Sequence, residues 1–139
     1  MEKLNINRTK EGHNLDIHGA KGPVFATAIV AGVMAAKRTS DLIPFCHQVP
    51  LDKCDVDIEL LPPDKDVDGA ESRSEGGKIK VDCIVSTFGK TGVEMEAIVG
   101  ASMAAICIYD MLKALSHDIE ITDTRLVFKS GGKSTYQRT

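Results

Sequence analysis

The chain has 139 residues and a mass of 15.0 kDa, the size of one ordinary domain. Charged residues make up 27% and apolar residues 42% of it, so the composition excludes a disordered or fibrous protein. A net charge of -3 disfavours non-specific nucleic-acid binding, and no nucleic-acid partner is expected.

No membrane or export segment is predicted. The uncharged apolar stretch from Gly22 to Ala36 is shorter than the roughly 20 residues that cross a bilayer. The N-terminal residues lack the apolar centre of a secretion signal, so a cytoplasmic location is expected. The 4 cysteines are scattered without a C-x-x-C pair, which indicates reduced thiols and no structural metal site.

Periodicity predicts a single domain over residues 1–139. In chain order the predicted elements are a strand at 14–18, a helix over 24–38, strands over 54–60 and 79–85, a helix over 93–115 and a strand over 119–128. Residues 1–20 are expected to form a short, flexible N-terminal segment, and residues 62–77 a flexible loop that closes an antiparallel hairpin. This order predicts an α+β fold of the ferredoxin-like kind, with helices on an antiparallel or mixed sheet.

Both predicted helices are apolar almost all round. Each carries a stripe of small residues, formed by Ala28, Gly32 and Ala36 in the first helix and by Ala97, Ala101 and Ala105 in the second. Such stripes allow close approach of two backbones. One small sheet cannot cover two helices that are apolar on every side, so the pattern predicts a homo-oligomer.

The densest polar segment is KRTSDLIPFCHQVPL at residues 37–51, where a predicted helix ends. Loops held by rigid elements often carry binding groups, and His47 between two prolines is placed to contact a ligand. Lys37 and Arg38 fit a solvated helix end equally well. Adjacent side chains generally point apart, so Cys46 and His47 are not expected to form a nucleophilic pair.

Two glycine-lysine segments, GKT at 89–91 and GGKS at 131–134, resemble fragments of a phosphate-binding P-loop. That loop needs a glycine where this chain has Ile84 and Val127, so the P-loop interpretation fails. Backbone N–H groups and Lys90 before the second helix fit an anion site, and an ordinary glycine turn fits them as well.

The second helix carries acidic residues at both ends. Glu94 and Glu96 lie in its first turn, where acids complement the helix dipole. Near its end, Asp110 and Lys113 fit either a surface ion pair or a carboxylate tuned for acid-base chemistry. At about 1.5 Å per residue, Glu96 and Asp110 lie roughly 21 Å apart along the helix. If one active site contains both Glu96 and Asp110, the simplest arrangement takes the two residues from different, symmetry-related subunits.

Four blocks of the chain resemble one family. KGPVFATAIVAGVMAAKRTSDLIPFCH, TGVEMEA, IYDMLKAL and KSGGKS, in order from Lys21 to Ser134, resemble the cyclic pyranopterin monophosphate synthases of molybdenum cofactor biosynthesis. The resemblance implies a lyase that converts 3′,8-cyclised dihydroguanosine triphosphate into cyclic pyranopterin monophosphate and releases pyrophosphate. It also implies ferredoxin-like subunits in a hexamer, a trimer of dimers, with active sites at subunit interfaces.

The same blocks imply the site residues. Catalytic positions fall on Asp110, Lys113 and Lys21. Substrate contacts fall on Phe45, Cys46, His47, Met95 and Glu96, with Glu94, Lys37, Arg38 and Lys133 as further contributors. These types suit the chemistry, since a triphosphate needs cations and a guanine-derived N–H edge suits a carboxylate. No metal site or cofactor is required by the resemblance, although Mg²⁺ can accompany the triphosphate or pyrophosphate.

Two features depart from the family pattern. Only 20 residues precede Lys21, fewer than is usual, so the resemblance does not extend to an N-terminal phosphate contact. The segment PFCHQVPL replaces the more usual leucine and proline around Cys46 and His47. The alternative function is a non-catalytic purine nucleotide-binding oligomer with the same fold.

Overall fold

The computed structural model describes residues 16–61 and 77–139 and the backbone of residues 5–7. Within these ranges the elements are β1 (Asn5–Asn7), β2 (Asp16–Gly19), β3 (Gly22–Pro23), α1 (Val24–Lys37), α2 (Thr39–Leu42), β4 (Lys53–Leu61), β5 (Lys78–Ser86), α3 (Glu94–Leu112), β6 (Phe128–Lys129) and β7 (Tyr136–Gln137). The described strands form three antiparallel sheets, β1-β2-β3, β4-β5 and β6-β7. The predicted α+β class is confirmed.

The predicted hairpin is the pair β4 and β5. Its antiparallel register runs from Lys53 opposite Ser86 to Leu61 opposite Lys78. Apolar residues alternate with charged ones along β4, so Val56 is buried while Asp55 and Asp57 are exposed. Residues 62–76, predicted as a flexible loop, lie outside the described residues, as does most of the N-terminal segment except β1 and β2.

α1 and α3 pack against each other and cover one face of this hairpin, α1 on β4 and α3 on β5. The stripe predicted for α1 is confirmed, since Ala28, Gly32 and Ala36 are all buried. The stripe predicted for α3 is wrong in register: the buried small residues are Gly100 and Ala104, one position away from the alanines that the sequence suggested. Packing on α1 and on the β4-β5 hairpin determines which face of α3 is buried, and the periodicity of α3 alone did not predict that face.

The closest contact between the helices involves two glycines. A Cβ atom at Gly32 would lie 2.9 Å from the carbonyl oxygen of Gly100 and 3.1 Å from a methyl carbon of Val56. A Cβ atom at Gly100 would lie 2.7 Å from the Cys83 Sγ. Only glycine allows this approach without movement of the backbone or its neighbours.

The strand predicted over 119–128 is wrong except at its end. Residues 119–127 have no regular structure, and the chain becomes extended only in β6, which pairs with β7. Asp123 takes a φ of 61°, in the left-handed region, which interrupts an extended strand. The predicted helix over 93–115 also ends earlier, at Leu112.

The outer faces of the two long helices stay apolar. Val30 and Met34 on α1 and Ile106 on α3 are each about half exposed. By length and composition α3 is long and apolar enough to cross a membrane, a property that core helices of soluble proteins share. α3 packs on α1 and β5, and 28% of its apolar stretch is buried in this chain.

The cysteines form no disulfide bond. Burial raises the pKa of the Cys83 thiol to about 12, and burial also raises the pKa values of Cys54 and Cys107. A thiol with a raised pKa is a poor nucleophile at neutral pH. These three cysteines therefore fill space, as the sequence predicted.

Gly32→Ala is expected to lower the free energy of unfolding by about 1–3 kcal/mol, because overpacking at the helix crossing outweighs the higher helix propensity of alanine. Urea unfolding followed by circular dichroism measures the change. The control is Ala31→Ser, next to it on the open side of α1, which should change the unfolding free energy by no more than about 0.5 kcal/mol. Equal stability of Gly32→Ala and the unmodified chain would contradict the close crossing.

Candidate active site

A carboxylate and two lysines meet at the C-terminal end of α3. The Nζ of Lys21, in the turn between β2 and β3, lies 2.7 Å from Oδ2 of Asp110 and 3.3 Å from its carbonyl oxygen. The Nζ of Lys113 lies 2.7 Å from Oδ1 of the same carboxylate. The Asp110 side chain is 50% exposed, so the three groups are open to a ligand. We call Lys21, Asp110 and Lys113 the lysine cluster.

The lysine cluster has a defined charge state. Hydrogen bonds from Lys113 and then from Lys21 hold the pKa of Asp110 at about 2. Its carboxylate in turn raises the pKa of Lys113. Asp110 is therefore ionised at neutral pH, which does not fit a general acid, and its carboxylate orients two cationic groups instead. The sequence was compatible with Asp110 as a member of an ion pair or as an acid-base group. The geometry favours the ion pair.

A second group of site residues lines a shallow cleft of about 180 Å³ near the start of α3. The lining residues are Phe45, Cys46, His47, Val49, Thr91, Gly92, Glu94, Met95 and Glu96. The loop after α2 therefore meets the first turn of α3, which brings together six of the residues that the resemblance implied. Phe45 is 98% exposed, so its ring stands in solvent at the edge of this cleft.

Glu96 is the buried acid of the cleft. It is 5% exposed, and no hydrogen bond or ion pair to its carboxylate comes from the residues described. Its carboxylate oxygens nevertheless keep some contact with solvent, because no fully enclosed side-chain oxygen among the described residues lacks a hydrogen-bond partner. The Glu96 carboxylate can therefore accept a hydrogen bond from a ligand in the cleft.

Glu94, by contrast, is paired. Its Oε1 lies 2.7 Å from the Nζ of Lys129, and this hydrogen bond lowers the pKa of Glu94. Lys129 was missed as a site residue, although the KSGGKS segment contains it; the sequence analysis selected Lys133 from the same segment. Lys133 instead follows Gly131 and Gly132, whose φ angles of 86° and 66° form the exposed turn before β7.

Lys37, Arg38 and Lys133 are exposed and do not line the cleft. Lys37 ends α1 and Arg38 follows it, which matches the solvated helix end that the sequence left open. The GKT segment is an exposed bend before α3. It is held by a hydrogen bond from the Phe88 N–H to Asp52 Oδ2 at 2.7 Å.

The cleft and the lysine cluster lie at opposite ends of one continuous helix. Glu96 and Asp110 both belong to α3, and about 1.5 Å per residue separates them by roughly 21 Å. A cleft of about 180 Å³ is also small, since pockets that enclose a ligand of drug size usually measure about 300–1,000 Å³. The described residues therefore form two separate groups of candidate site residues, which we call the two half-sites.

Lys113→Met is expected to raise the pKa of Asp110, because it removes the stronger of the two hydrogen bonds to the ionised carboxylate. A titration of the side-chain carboxyl carbon by NMR measures the change. Since the pKa of about 2 lies below the unfolded value, roughly 3.9, the stabilisation that Asp110 contributes is present above pH ~4 and is lost as the pH falls towards 2.

Lys80→Met is the matched control, because Lys80 forms an exposed ion pair with Asp82 at 2.6 Å and has no contact with Asp110. It should leave the Asp110 titration unchanged. A pKa for Asp110 that is the same in Lys113→Met as in the unmodified chain would show that the two groups do not pair in solution.

The sequence profile of the MoaC family matches residues 6–132. The chain is also 50% identical over 131 residues to molybdenum cofactor biosynthesis protein 1 of Dictyostelium discoideum, covering 94% of this chain and 18% of that protein. It is 47% identical over 119 residues to a molybdenum cofactor biosynthesis bifunctional protein of Synechocystis sp., covering 86% of this chain and 32% of that protein. The chain thus spans less than a third of the length of either relative. Because the family profile covers nearly the whole sequence, including the lysine cluster and the cleft, the chain belongs to the MoaC family.

Proposed function

We propose that this chain is a cyclic pyranopterin monophosphate synthase. It converts 3′,8-cyclised dihydroguanosine triphosphate into cyclic pyranopterin monophosphate and releases pyrophosphate. The observation that carries the proposal is the MoaC family match over residues 6–132, which includes both half-sites. The names of the two relatives, which refer to molybdenum cofactor biosynthesis, agree with this role.

The lysine cluster suits the phosphate end of such a substrate. Its two ammonium groups are held by one carboxylate at 2.7 Å each, so little reorganisation is needed before an anion binds. Lys113 keeps its proton because Asp110 raises its pKa. A protonated lysine offsets charge on a leaving pyrophosphate.

The cleft suits the purine-derived end. The Glu96 side chain is largely buried, while its carboxylate keeps some contact with solvent, and a carboxylate accepts hydrogen bonds from the N–H groups of a guanine-derived ring. A bound ring of this kind would donate hydrogen bonds to the Glu96 carboxylate that no described residue of the chain donates. His47 lies at the same cleft and is exposed to a ligand.

The two half-sites act together only if they come from different protomers. We therefore propose that the cleft of one subunit faces the lysine cluster of another in a homo-oligomer, with a hexameric trimer of dimers as the expected assembly. The exposed apolar faces of α1 and α3 support the proposal, because they are the surfaces that subunit contacts would bury. A ferredoxin-like subunit remains part of the proposal, supported by two helices on one face of the β4-β5 hairpin.

No resident cofactor is proposed. Mg²⁺ is proposed only as a companion of the triphosphate or pyrophosphate, bound through their oxygens. A cytoplasmic location stays a prediction.

Lys21→Ala and His47→Ala are each expected to weaken binding of the cyclised triphosphate. Loss of one contact to a charged ligand costs on the order of 1–3 kcal/mol, or about 5- to 150-fold in Kd. Isothermal titration calorimetry at two salt concentrations measures this, and the phosphate contribution should fall at high salt. Lys80→Ala, a change of the same type on the outer side of β5, should bind like the unmodified chain.

The same titrations separate the two functions. Tight binding by the unmodified chain, with no pyrophosphate and no pterin formed, would favour the non-catalytic purine nucleotide-binding oligomer. Unchanged affinity in both variants would contradict the assignment of Lys21 and His47.

Asp110→Asn and Glu96→Gln are each expected to abolish pterin formation, and a mixture of the two should regain activity after subunit exchange. In random pairs of subunits, roughly a quarter of shared sites receive the intact member of each half-site. Pyrophosphate release and pterin fluorescence measure the recovery. Exchange itself is checked by mass spectrometry.

The control mixture combines Asp110→Asn with Lys113→Ala, two changes in the same half-site. Every exchanged site then carries a defective lysine cluster, so activity should stay absent. Recovery in neither mixture, with exchange confirmed, would rule out a site shared in this way.

A further inference from the structure

Lys21 stands on a very short hairpin. β2 has four residues and β3 has two, and the turn between them is Ala20–Lys21. Gly22 closes the turn with a φ of 109°, a conformation that glycine favours. A hairpin of this length is marginally stable by itself, and here the other edge of β2 also pairs with β1. The position of the Lys21 ammonium at Asp110 therefore depends on what holds the hairpin in place.

One side chain ties the hairpin to the helix that follows it. Oδ1 of Asp16 accepts hydrogen bonds from the N–H groups of Ile17 at 2.7 Å and Phe25 at 2.8 Å, and its Oδ2 accepts from Ala26 N–H at 3.2 Å. Asp16 begins β2, whereas Phe25 and Ala26 belong to the first turn of α1. The carboxylate thus joins the first residue of the hairpin to the helix that the hairpin leads into.

Few other hydrogen-bond acceptors are available to the first N–H groups of α1. Pro23 occupies the N-cap position and offers no side-chain hydrogen bond. The first N–H groups of a helix have no acceptor within it, and the helix dipole favours a negative charge there. A carboxylate that accepts charge-assisted hydrogen bonds meets both needs. Asp16 therefore caps α1 from a residue that is remote from the usual capping position.

We propose that Asp16 is a positioning residue for the reaction, and that its cap on α1 sets the direction in which the β2-β3 turn presents Lys21 to Asp110. The catalytic part of this inference rests on the proposed function. The other side of the hairpin supports it, since Ile17 of β2 is 3% exposed and belongs to the same buried cluster as Met111 and Leu112 in the last turn of α3. The hairpin is thus held between the start of α1 and the end of α3.

The first test is a double-mutant cycle on turnover, carried out well below the unfolding temperature of every variant. Asp16→Ala should lower kcat by at least about tenfold, and in the Lys21→Ala background it should change kcat by less than about twofold, because a residue that acts through Lys21 has no effect once Lys21 is removed. Val56→Ala, which destabilises the core through β4, is the control for stability loss alone. It should leave kcat nearly unchanged in both backgrounds.

The second test needs no substrate. The groups that face the Asp110 carboxylate are the ammonium groups of Lys21 and Lys113, with the Cys107 thiol nearby on α3. Removal of Lys21 from its position leaves one hydrogen bond fewer to the ionised form, so the pKa of Asp110 should rise in Asp16→Ala as it does in Lys21→Ala. Carboxyl NMR titration should show no such rise in Val56→Ala.

The Asp110 titration tests the positioning role of Asp16, whereas pterin formation by the unmodified chain tests the proposed function. If Asp16→Ala leaves the Asp110 titration unchanged in a folded protein, the positioning role is wrong, whatever the activity. If the titration shifts while the unmodified chain makes no pterin, the positioning role stands and the proposed function fails. Should Asp16→Ala not fold, Asp16→Glu replaces it. Glutamate keeps the charge but carries the carboxylate one methylene further from β2, so the three hydrogen bonds cannot be kept without movement of the hairpin, and an Asp110 titration identical to that of the unmodified chain would overturn the proposal.

Discussion

The close crossing of α1 and α3 is the contact on which the rest of the structure depends. Gly32 and Gly100 bring the two backbones together, and a Cβ atom at either position would collide with its neighbours. The helices run antiparallel, since Ala36 near the end of α1 approaches Gly100 while the hairpin before α1 contacts the last turn of α3. The crossing therefore decides which flanking loop meets each end of α3, and so where both half-sites form.

The two ends of α3 differ in charge. At the C-terminal end two ammonium groups surround one carboxylate, which keeps the pKa of Asp110 at about 2. At the N-terminal end the acids Glu94 and Glu96 line the cleft, and Lys129 pairs with Glu94 only. A nucleotide has the opposite polarity, with phosphates at one end and N–H donors at the other. In the proposed oligomer, the two half-sites would together be complementary to one such ligand.

The position of Lys21 in the lysine cluster has a local origin that the helices alone do not provide. Lys21 comes from a hairpin too short to be stable by itself. The Asp16 cap, the pairing of β2 with β1 and the burial of Ile17 beside α3 hold that hairpin. Binding groups placed by several short-range contacts lose little conformational entropy when a ligand arrives, and this makes preorganised sites effective.

Local features of this protein could be predicted from its amino-acid sequence. Periodicity located α1, α3 and the β4-β5 hairpin, and the spacing of three residues placed Lys113 beside Asp110. Tertiary structure alone decided the contacts between remote segments, such as Lys21 with Asp110, 89 residues apart, and Lys129 with Glu94. Tertiary packing also determined that Gly100 lies on the buried face of α3. It likewise determined that residues 119–127 form no strand. The reason is physical: periodicity reports interactions between neighbours in the chain, whereas these contacts depend on how packed backbones bring distant residues together.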